Sequence, residues 1–249
     1  MSFDTLAVTK FGHVAELRLT RGADGNPIDE RFLDELDQAA ASIHEYSDIH
    51  AVLLTADGDA FSRGAAGDAM APATGRLPFR SLELMAQPVI ACMHGEAIGA
   101  GLELALACDV RIAAEGATFA IRDVAAGRVP SAGATQRLPR LIGRGKASEM
   151  ILLGEELDAQ AALACGLVSA LVPSADLAAH GRALAERIAA QGPIAVRYAK
   201  ESMLRGLDMP LEQALRYETD LTVILQTTAD RAEGVRAFIE KRPPQFEGK

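Results

Sequence analysis

The sequence predicts an α/β protein in which repeated β-β-α rounds build a layered core and a helical region follows. Three observations carry that expectation. Apolar runs of strand length alternate with segments of helical periodicity through about residue 118. Beyond Thr118 the composition shifts toward long amphipathic stretches. No Ser/Pro run, low-complexity tract or block of like charge divides the 249 residues. We read residues 1–190 as the core and 191–249 as the helical region.

The elements follow in order. Leu6 to Lys10 and Val14 to Leu19 alternate apolar and polar residues around Phe11, Gly12 and His13, the pattern of an opening hairpin. Arg21 to Pro27 is turn-rich. From Asp29 to about Tyr46, the residues Phe32, Leu33, Leu36, Ala39, Ala40 and Ile43 keep helical spacing, and Asp29 is placed to cap the helix start. Ile49 to Thr55 is a buried strand. Gly58 to Met70 is a loop of small residues, continued by a Pro/Gly-containing loop through Pro78, and loops at strand ends carry binding groups more often than core elements do. Leu82 to Met85 predicts a short helix, Val89 to Met93 a strand, Gly101 to Ala107 a helix, Val110 to Ala113 a strand, and Phe119 to Ile121 another. After the loop Asp123 to Gly133, helices are expected from Thr135 onward, with stretches at Asp158 to Cys165, Asp176 to Ala190, Ile194 to Leu204, Leu211 to Gln226 and Ala229 to Lys241. One strand, Val168 to Val172, interrupts them. Gly143 to Lys146 (GRGK) lacks the leading glycine and the following Ser/Thr of a P-loop and reads as a helix-helix turn. The terminal helices carry more apolar surface than a lone helix can hide, which directs some of it to subunit contacts.

Composition narrows the function. With 49% hydrophobic and 24% charged residues the chain can bury a sizeable core. A net charge of −9 disfavours nucleic acid as a partner, because phosphate binding draws on basic surface. Cys92, Cys108 and Cys165 form no CxxC pair and read as reduced residues of a cytoplasmic protein. The five histidines show no zinc-site spacing, so no metal is expected. The first residues lack the apolar core of an export signal, and the apolar region Val89 to Ala114 is broken by Glu96, Glu103, Asp109 and Arg111, so no membrane association is expected.

The stretch His94 to Asp109, HGEAIGAGLELALACD, is where chemistry is expected. Gly99, Ala100 and Gly101 stand where a strand-like run gives way to a helical one, so free backbone N–H groups there can hold an anion or a developing oxyanion. Glu103, three residues beyond Ala100, falls on the same side of the helix. The plainer alternative is a Gly-rich turn packing a helix on a sheet, with Glu103 solvated. GAGLEL lacks the third glycine of GxGxxG, and no acidic ribose partner follows at the expected distance, which disfavours nucleotide binding.

Four segments together resemble the crotonase superfamily, the enoyl-CoA hydratases and isomerases. FSRGAAGDAM is similar to its FxAGAD loop, and PVIACMHGEAIGAGLELALACD to its PvIAavnG…GGGxELalaCD segment. SAGATQRLPRLIGRGKASEMILLGEELDAQAALACGLV resembles PgaGgTqrLpRxvGxxxAxexxltGxxxxAxeAxxxGLV, and FIEKRPPQF resembles the C-terminal FxeKRxPxF. The resemblance covers nearly the whole chain. It implies a crotonase (clp-protease-like) spiral of β-β-α units with a C-terminal helical trimerisation region, and hence a homotrimer or homohexamer. The implied ligand is an acyl-CoA thioester whose enolate is stabilised by two backbone N–H groups. Coenzyme A then arrives as part of the substrate, with no separate cofactor.

By motif match the two donors are the amides of Ala65 and Ala100. Glu103 matches the first carboxylate of the hydratases. Asp123, in FAIRD where the family has FxxPE, matches the second, one methylene shorter and with Arg122 in place of the proline. The resemblance places Ala66, Gly67 and Asp68 against the pantetheine and adenine end of CoA. It places Phe238 and Lys241 where they reach a CoA bound to a neighbouring subunit. The reaction it implies is hydration of a 2-trans-enoyl-CoA. The alternatives are an isomerase, or an acyl-CoA binder made catalytically weak by Asp123. His94 is expected to be a satisfied core histidine, and Arg63 either a phosphate contact or a surface residue. Ser62 lacks the GxSxG elbow of a serine hydrolase, which disfavours a protease.

Overall fold

A computed structural model describes residues 3–66 and 76–249. The chain runs β1 (Leu6–Phe11), β2 (Val14–Leu19), α1 (Glu30–Glu45), β3 (Ala51–Ala56), α2 (Arg80–Glu83), β4 (Val89–Met93), β5 (Glu96–Ile98), α3 (Ala100–Leu106), β6 (Val110–Ala114) and β7 (Thr118–Ala120). It continues through α4 (Ala134–Ile142), α5 (Arg144–Ser148), β8 (Leu157–Asp158), α6 (Ala159–Ala164), β9 (Ala170–Val172), α7 (Leu177–Ala189), α8 (Pro193–Gly206), α9 (Leu211–Leu225) and α10 (Ala229–Glu240).

Six strands form one sheet in the order β1-β2-β3-β4-β6-β9, antiparallel at the opening hairpin and parallel beyond it. Its central strands are continuous apolar runs because both of their faces are covered. Val52, Leu54, Val89, Ala91 and Met93 face the cluster shared with α1 and α3. Leu53, Ile90, Cys92 and Ile112 face Leu177, Ala185 and Ala189 of α7. A second, smaller sheet has the order β5-β7-β8. Isolated bridges extend it, pairing Ser62 with Ala97 of β5 and Ile28 with Ala65. Successive rounds therefore place one strand in each layer: β3 then the Ser62 segment, β4 then β5, β6 then β7. This is the layered β-β-α repetition that the sequence predicts.

The local signals behave as expected at α1. Asp29 accepts the Phe32 N–H at 2.8 Å, and the helix buries Phe32, Leu33, Leu36, Ala39, Ala40 and Ile43. Several elements differ from the sequence reading, among them α2, which spans Arg80–Glu83 rather than Leu82 to Met85, and β8, which it did not contain. The strand β5 spans only three residues between Gly95 and Gly99, too few for alternation to register. The helix α3 starts at Ala100 rather than Gly101. The GRGK segment is a break at Gly143 followed by the first turn of α5, so the helix-helix turn is a single residue wide.

Two cations, the half-buried Arg111 and the buried Lys200, fix the far end of α3. Arg111 Nη1 donates to the Cys108 carbonyl at 2.6 Å, where the helix end presents free carbonyls. Lys200, reaching in from α8, donates to Asp109 Oδ2 at 2.7 Å and to the Gln87 carbonyl at 3.0 Å. The C-terminal helices are thus tied to the core beside α3. Among the described residues no helix is long and apolar enough to cross a membrane.

Candidate active site

Two bends meet at the start of α3. The Ser62 segment runs parallel to β5, with Ser62 N–H donating to the Glu96 carbonyl and Ile98 N–H to the Ser62 carbonyl, both at 3.0 Å. Each of these paired segments ends at a glycine in the left-handed half of backbone space, Gly64 with φ +101° and Gly99 with φ +52°. Glycine enters that region without the steric cost of a side chain. The next amide after each glycine belongs to Ala65 and to Ala100. A Cβ built on Gly64 would lie 3.0 Å from the Ile98 carbonyl oxygen and 3.8 Å from the Ala100 nitrogen, so the two bends are in contact. Ala100 is the first helical residue of α3, whose leading N–H groups have no acceptor within the helix.

A third glycine allows this approach. A Cβ on Gly101 would sit 2.5 Å from Ser62 Cβ and 2.7 Å from the Ser62 carbonyl oxygen. The bare backbone at this position is what lets α3 lie directly against the Ser62 segment.

Glu103 points inward and is 2% exposed, which overturns the solvated alternative. Its Oε1 accepts the N–H groups of Ala132 at 3.0 Å and Ala134 at 2.9 Å. The helix α4 begins after Gly133, which has no side chain to cap it, and Glu103 supplies the acceptor from across the core. Burial is the largest influence on the Glu103 carboxyl and raises its pKa, and the negative charge of Asp123 acts in the same direction. The two amides and Arg137 oppose them, and the net result is above the ordinary glutamate value.

Asp123 is half-buried, and its carbonyl accepts the N–H groups of Ala126 at 3.0 Å and Arg128 at 2.9 Å. Its Oδ2 lies 3.7 Å from the Cβ position of Gly99, so the carboxylate faces the bend that presents Ala100. Its Oδ1 lies 3.6 Å from Arg128 Nε, whereas Arg122 turns away to Glu156 at 2.6 Å. Ala65, Ala100 and Asp123 therefore lie about one bend, and Glu103 stands on the first turn of the helix that starts there. Backbone donors with carboxylates beside them can stabilise an oxyanion and move protons.

The other sequence-predicted residues fall as follows. Ala66 is exposed next to this bend and donates its N–H to the Ile28 carbonyl at 3.0 Å. Gly67 and Asp68 lie outside the described residues. Phe238 and Lys241 stand at the end of α10, Phe238 being 84% exposed, and no hydrogen bond or ion pair among the described residues joins either to the site. Arg63 is engaged by Glu96 at 2.7 Å and Asp59 at 2.8 Å, the surface alternative. His94 is half-buried with Nε2 3.1 Å from the Gly58 carbonyl oxygen. Ser62 is fully buried and donates to the Asn26 carbonyl at 2.8 Å.

Sequence reasoning missed Ala132 and Ala134. Their signal was present in SAGAT, a glycine among small residues at a helix start, the same feature that marked Gly99. A cavity of about 700 Å³ lies beyond their turn, between α2, α4 and α8, but Ala65, Ala100, Glu103 and Asp123 do not line it. The bend at the start of α3, rather than cavity size, marks the candidate site.

Comparison with known proteins gives consistent results. A family model described as Enoyl-CoA hydratase/isomerase matches residues 9–249. The probable enoyl-CoA hydratase echA8 of Mycobacterium tuberculosis is 37% identical over 99% of each chain. A short-chain-enoyl-CoA hydratase of Clostridium acetobutylicum is 34% identical over 97% of each. Among solved structures, an enoyl-CoA hydratase from Bacillus anthracis superposes with a TM-score of 0.94 at 38% identity, covering 99% of this chain and 100% of that one.

Proposed function

Because this chain belongs to the enoyl-CoA hydratase/isomerase family, we propose that it is an enoyl-CoA hydratase that adds water across the 2,3 double bond of a 2-trans-enoyl-CoA. The observation that carries the reading is the bend where Gly64 meets Ala100, with the Asp123 carboxylate facing it and the buried Glu103 on the helix that starts there. The thioester oxygen accepts the Ala65 and Ala100 N–H groups as the substrate becomes an enolate. Preorganised donors of this kind contribute roughly 2.7–4 kcal/mol each to the transition state.

With Oε1 held by two amides, Glu103 uses Oε2 to take a proton from water as its oxygen adds to C3. Asp123 exchanges the proton that arrives at C2. The proton that Glu103 takes is relayed through Asp123 to C2, so both carboxyls end as they began and one water is consumed, its hydroxyl going to C3 and its hydrogen to C2. A raised pKa makes Glu103 a stronger base than an exposed glutamate. Coenzyme A enters as part of the substrate, and these steps call on no separate cofactor or metal.

The exposed apolar side chains Leu207 just past α8, Leu211 and Val223 on α9, and Phe238 and Ile239 on α10 support a homotrimer or homohexamer. In that assembly Phe238 and Lys241 reach a CoA on the neighbouring subunit, and Ala66 contacts the CoA of its own. Three unpaired cysteines, two of them buried, fit a cytoplasmic setting.

The test is the loss of enoyl absorbance when purified protein meets crotonyl-CoA. The ion pair of Asp123 with Arg128 favours a second reading, an isomerase in which Glu103 alone moves the proton. Conversion of a 3-enoyl-CoA to the 2-enoyl isomer, with no hydration of crotonyl-CoA, would select it.

A further inference from the structure

We propose that Arg137, anchored by Glu83, is a positioning residue that holds Glu103 in its working orientation by gripping the turn Ala132-Gly133-Ala134. The inference rests on the hydratase reading and extends it to two further residues. Arg137 Nη1 donates to the Ala132 carbonyl at 2.7 Å, and the Ala132 and Ala134 N–H groups donate to Glu103 Oε1. The rest of the guanidinium forms a fork on Glu83, Nε to Oε1 at 3.2 Å and Nη2 to Oε2 at 3.0 Å. Planar bidentate pairing of this kind fixes orientation as well as charge.

A side chain at the turn would have to displace the guanidinium. A Cβ on Gly133 would lie 2.0 Å from Arg137 Nη1, and the Arg137 N–H also donates to the Gly133 carbonyl at 2.8 Å. Arg137 and Glu83 are each 20% exposed, so the pair is shielded without being cut off from solvent. Arg80 also holds Glu83, at 2.7 Å. The charged groups acting on Glu103 are Asp123, which favours its protonated form, and Arg137, which favours its ionised form. Loss of Arg137 therefore loosens the turn and also removes the one cation among them.

The test compares Arg137→Met, Arg137→Lys and Glu83→Gln. Two readouts are used: kcat and KM for crotonyl-CoA across pH, and the pH-dependent infrared band of the protonated Glu103 carboxyl, identified by its loss in Glu103→Gln. Arg137→Met is expected to lower kcat by about 10- to 100-fold, the scale of a misplaced catalytic group, with KM within twofold. Its Glu103 band should titrate at higher pH than in the unsubstituted protein. Arg137→Lys keeps the charge and should hold the titration in place while recovering only part of kcat. If Arg137→Met does not fold, Glu83→Gln carries the test, with a smaller loss of kcat at unchanged KM. A folded variant with kcat within twofold and an unmoved Glu103 band would overturn the proposal, as would a rise in KM alone. The infrared readout needs no turnover, so an unsubstituted protein inactive on crotonyl-CoA would sink the hydratase reading and still leave the positioning role decided.

Discussion

Gly101→Ala separates local preference from site geometry. In a helix this substitution ordinarily gains about 1 kcal/mol, since alanine loses less backbone freedom on folding. Here the added Cβ would lie 2.5 Å from Ser62 Cβ and 2.7 Å from the Ser62 carbonyl oxygen. Restoring ordinary contact requires α3 to retreat by about 1 Å, and errors of that size at a reacting centre cost on the order of 100-fold in rate. The neighbour includes backbone, so a rotamer change cannot absorb the clash. Overpacking of this kind costs about 1–3 kcal/mol of stability. Because Ala100 is the residue before Gly101, the movement carries its N–H away from the Ala65 bend. The expected result is a loss of about 100-fold in kcat/KM for crotonyl-CoA hydration and a lower melting temperature. Gly145→Ala in α5, where nothing lies within 4 Å of the new Cβ, serves as the control and should leave activity unchanged. Adding Ser62→Gly to Gly101→Ala removes the Cβ and Oγ contacts but leaves the carbonyl, so recovery should be partial. Gly101→Ala with full activity and an unchanged melting temperature would refute the close-approach reasoning.

Four further outcomes follow from the same structure. Glu103→Gln keeps an acceptor for the Ala132 and Ala134 amides but loses the base, so kcat should fall by about 10²–10⁴-fold while a CoA thioester still binds by calorimetry. Because burial raises the Glu103 pKa, the acid limb of kcat in the unsubstituted protein should fall above pH 4.5, and a limb at or below that value would contradict the burial effect. Burial lowers the His50 pKa below 6.5 despite a contact with the Ala189 carbonyl. The unfolded chain then binds the proton first, so this contribution to stability is full above about pH 6.5 and is lost as pH falls through the folded value. Urea midpoints at pH 8 and pH 5.5 should differ less in His50→Gln than in the unsubstituted protein. Lys200→Met removes the buried partner of Asp109 and the tie between α8 and the core. It should cost on the order of 3 kcal/mol by denaturant unfolding, and a change under 1 kcal/mol would show that the pair contributes little.

What the sequence reveals here depends on the range of the interaction. The helix α1 was legible because Asp29 caps Phe32 three residues away and its apolar stripe repeats within a turn. Glu103 was legible because its position relative to Ala100 is set by one helix. The contact between Gly64 and Ala100 was not, since it depends on two segments pairing in a second sheet through Ser62 and Ala97. Family resemblance named both amides, but periodicity alone could not have paired them. The amides that orient Glu103 lie 29 and 31 residues beyond it, and nothing local marks them as its partners. Lys200 read as one more polar residue of an amphipathic helix, yet its ammonium is buried against Asp109, 91 residues earlier. Asp123 was legible as a departure from a family pattern with Arg122 or Arg128 as its alternative partner, and the fold selects Arg128 by turning Arg122 toward Glu156.

The most direct measurement is a crystal structure with a CoA thioester bound. The account predicts that the thioester oxygen lies about 2.7–3.1 Å from both the Ala65 and Ala100 nitrogens, with a carboxylate oxygen of Glu103 and one of Asp123 sharing a water beside C2 and C3. A thioester bound elsewhere, or an acyl oxygen held by neither amide, would contradict it.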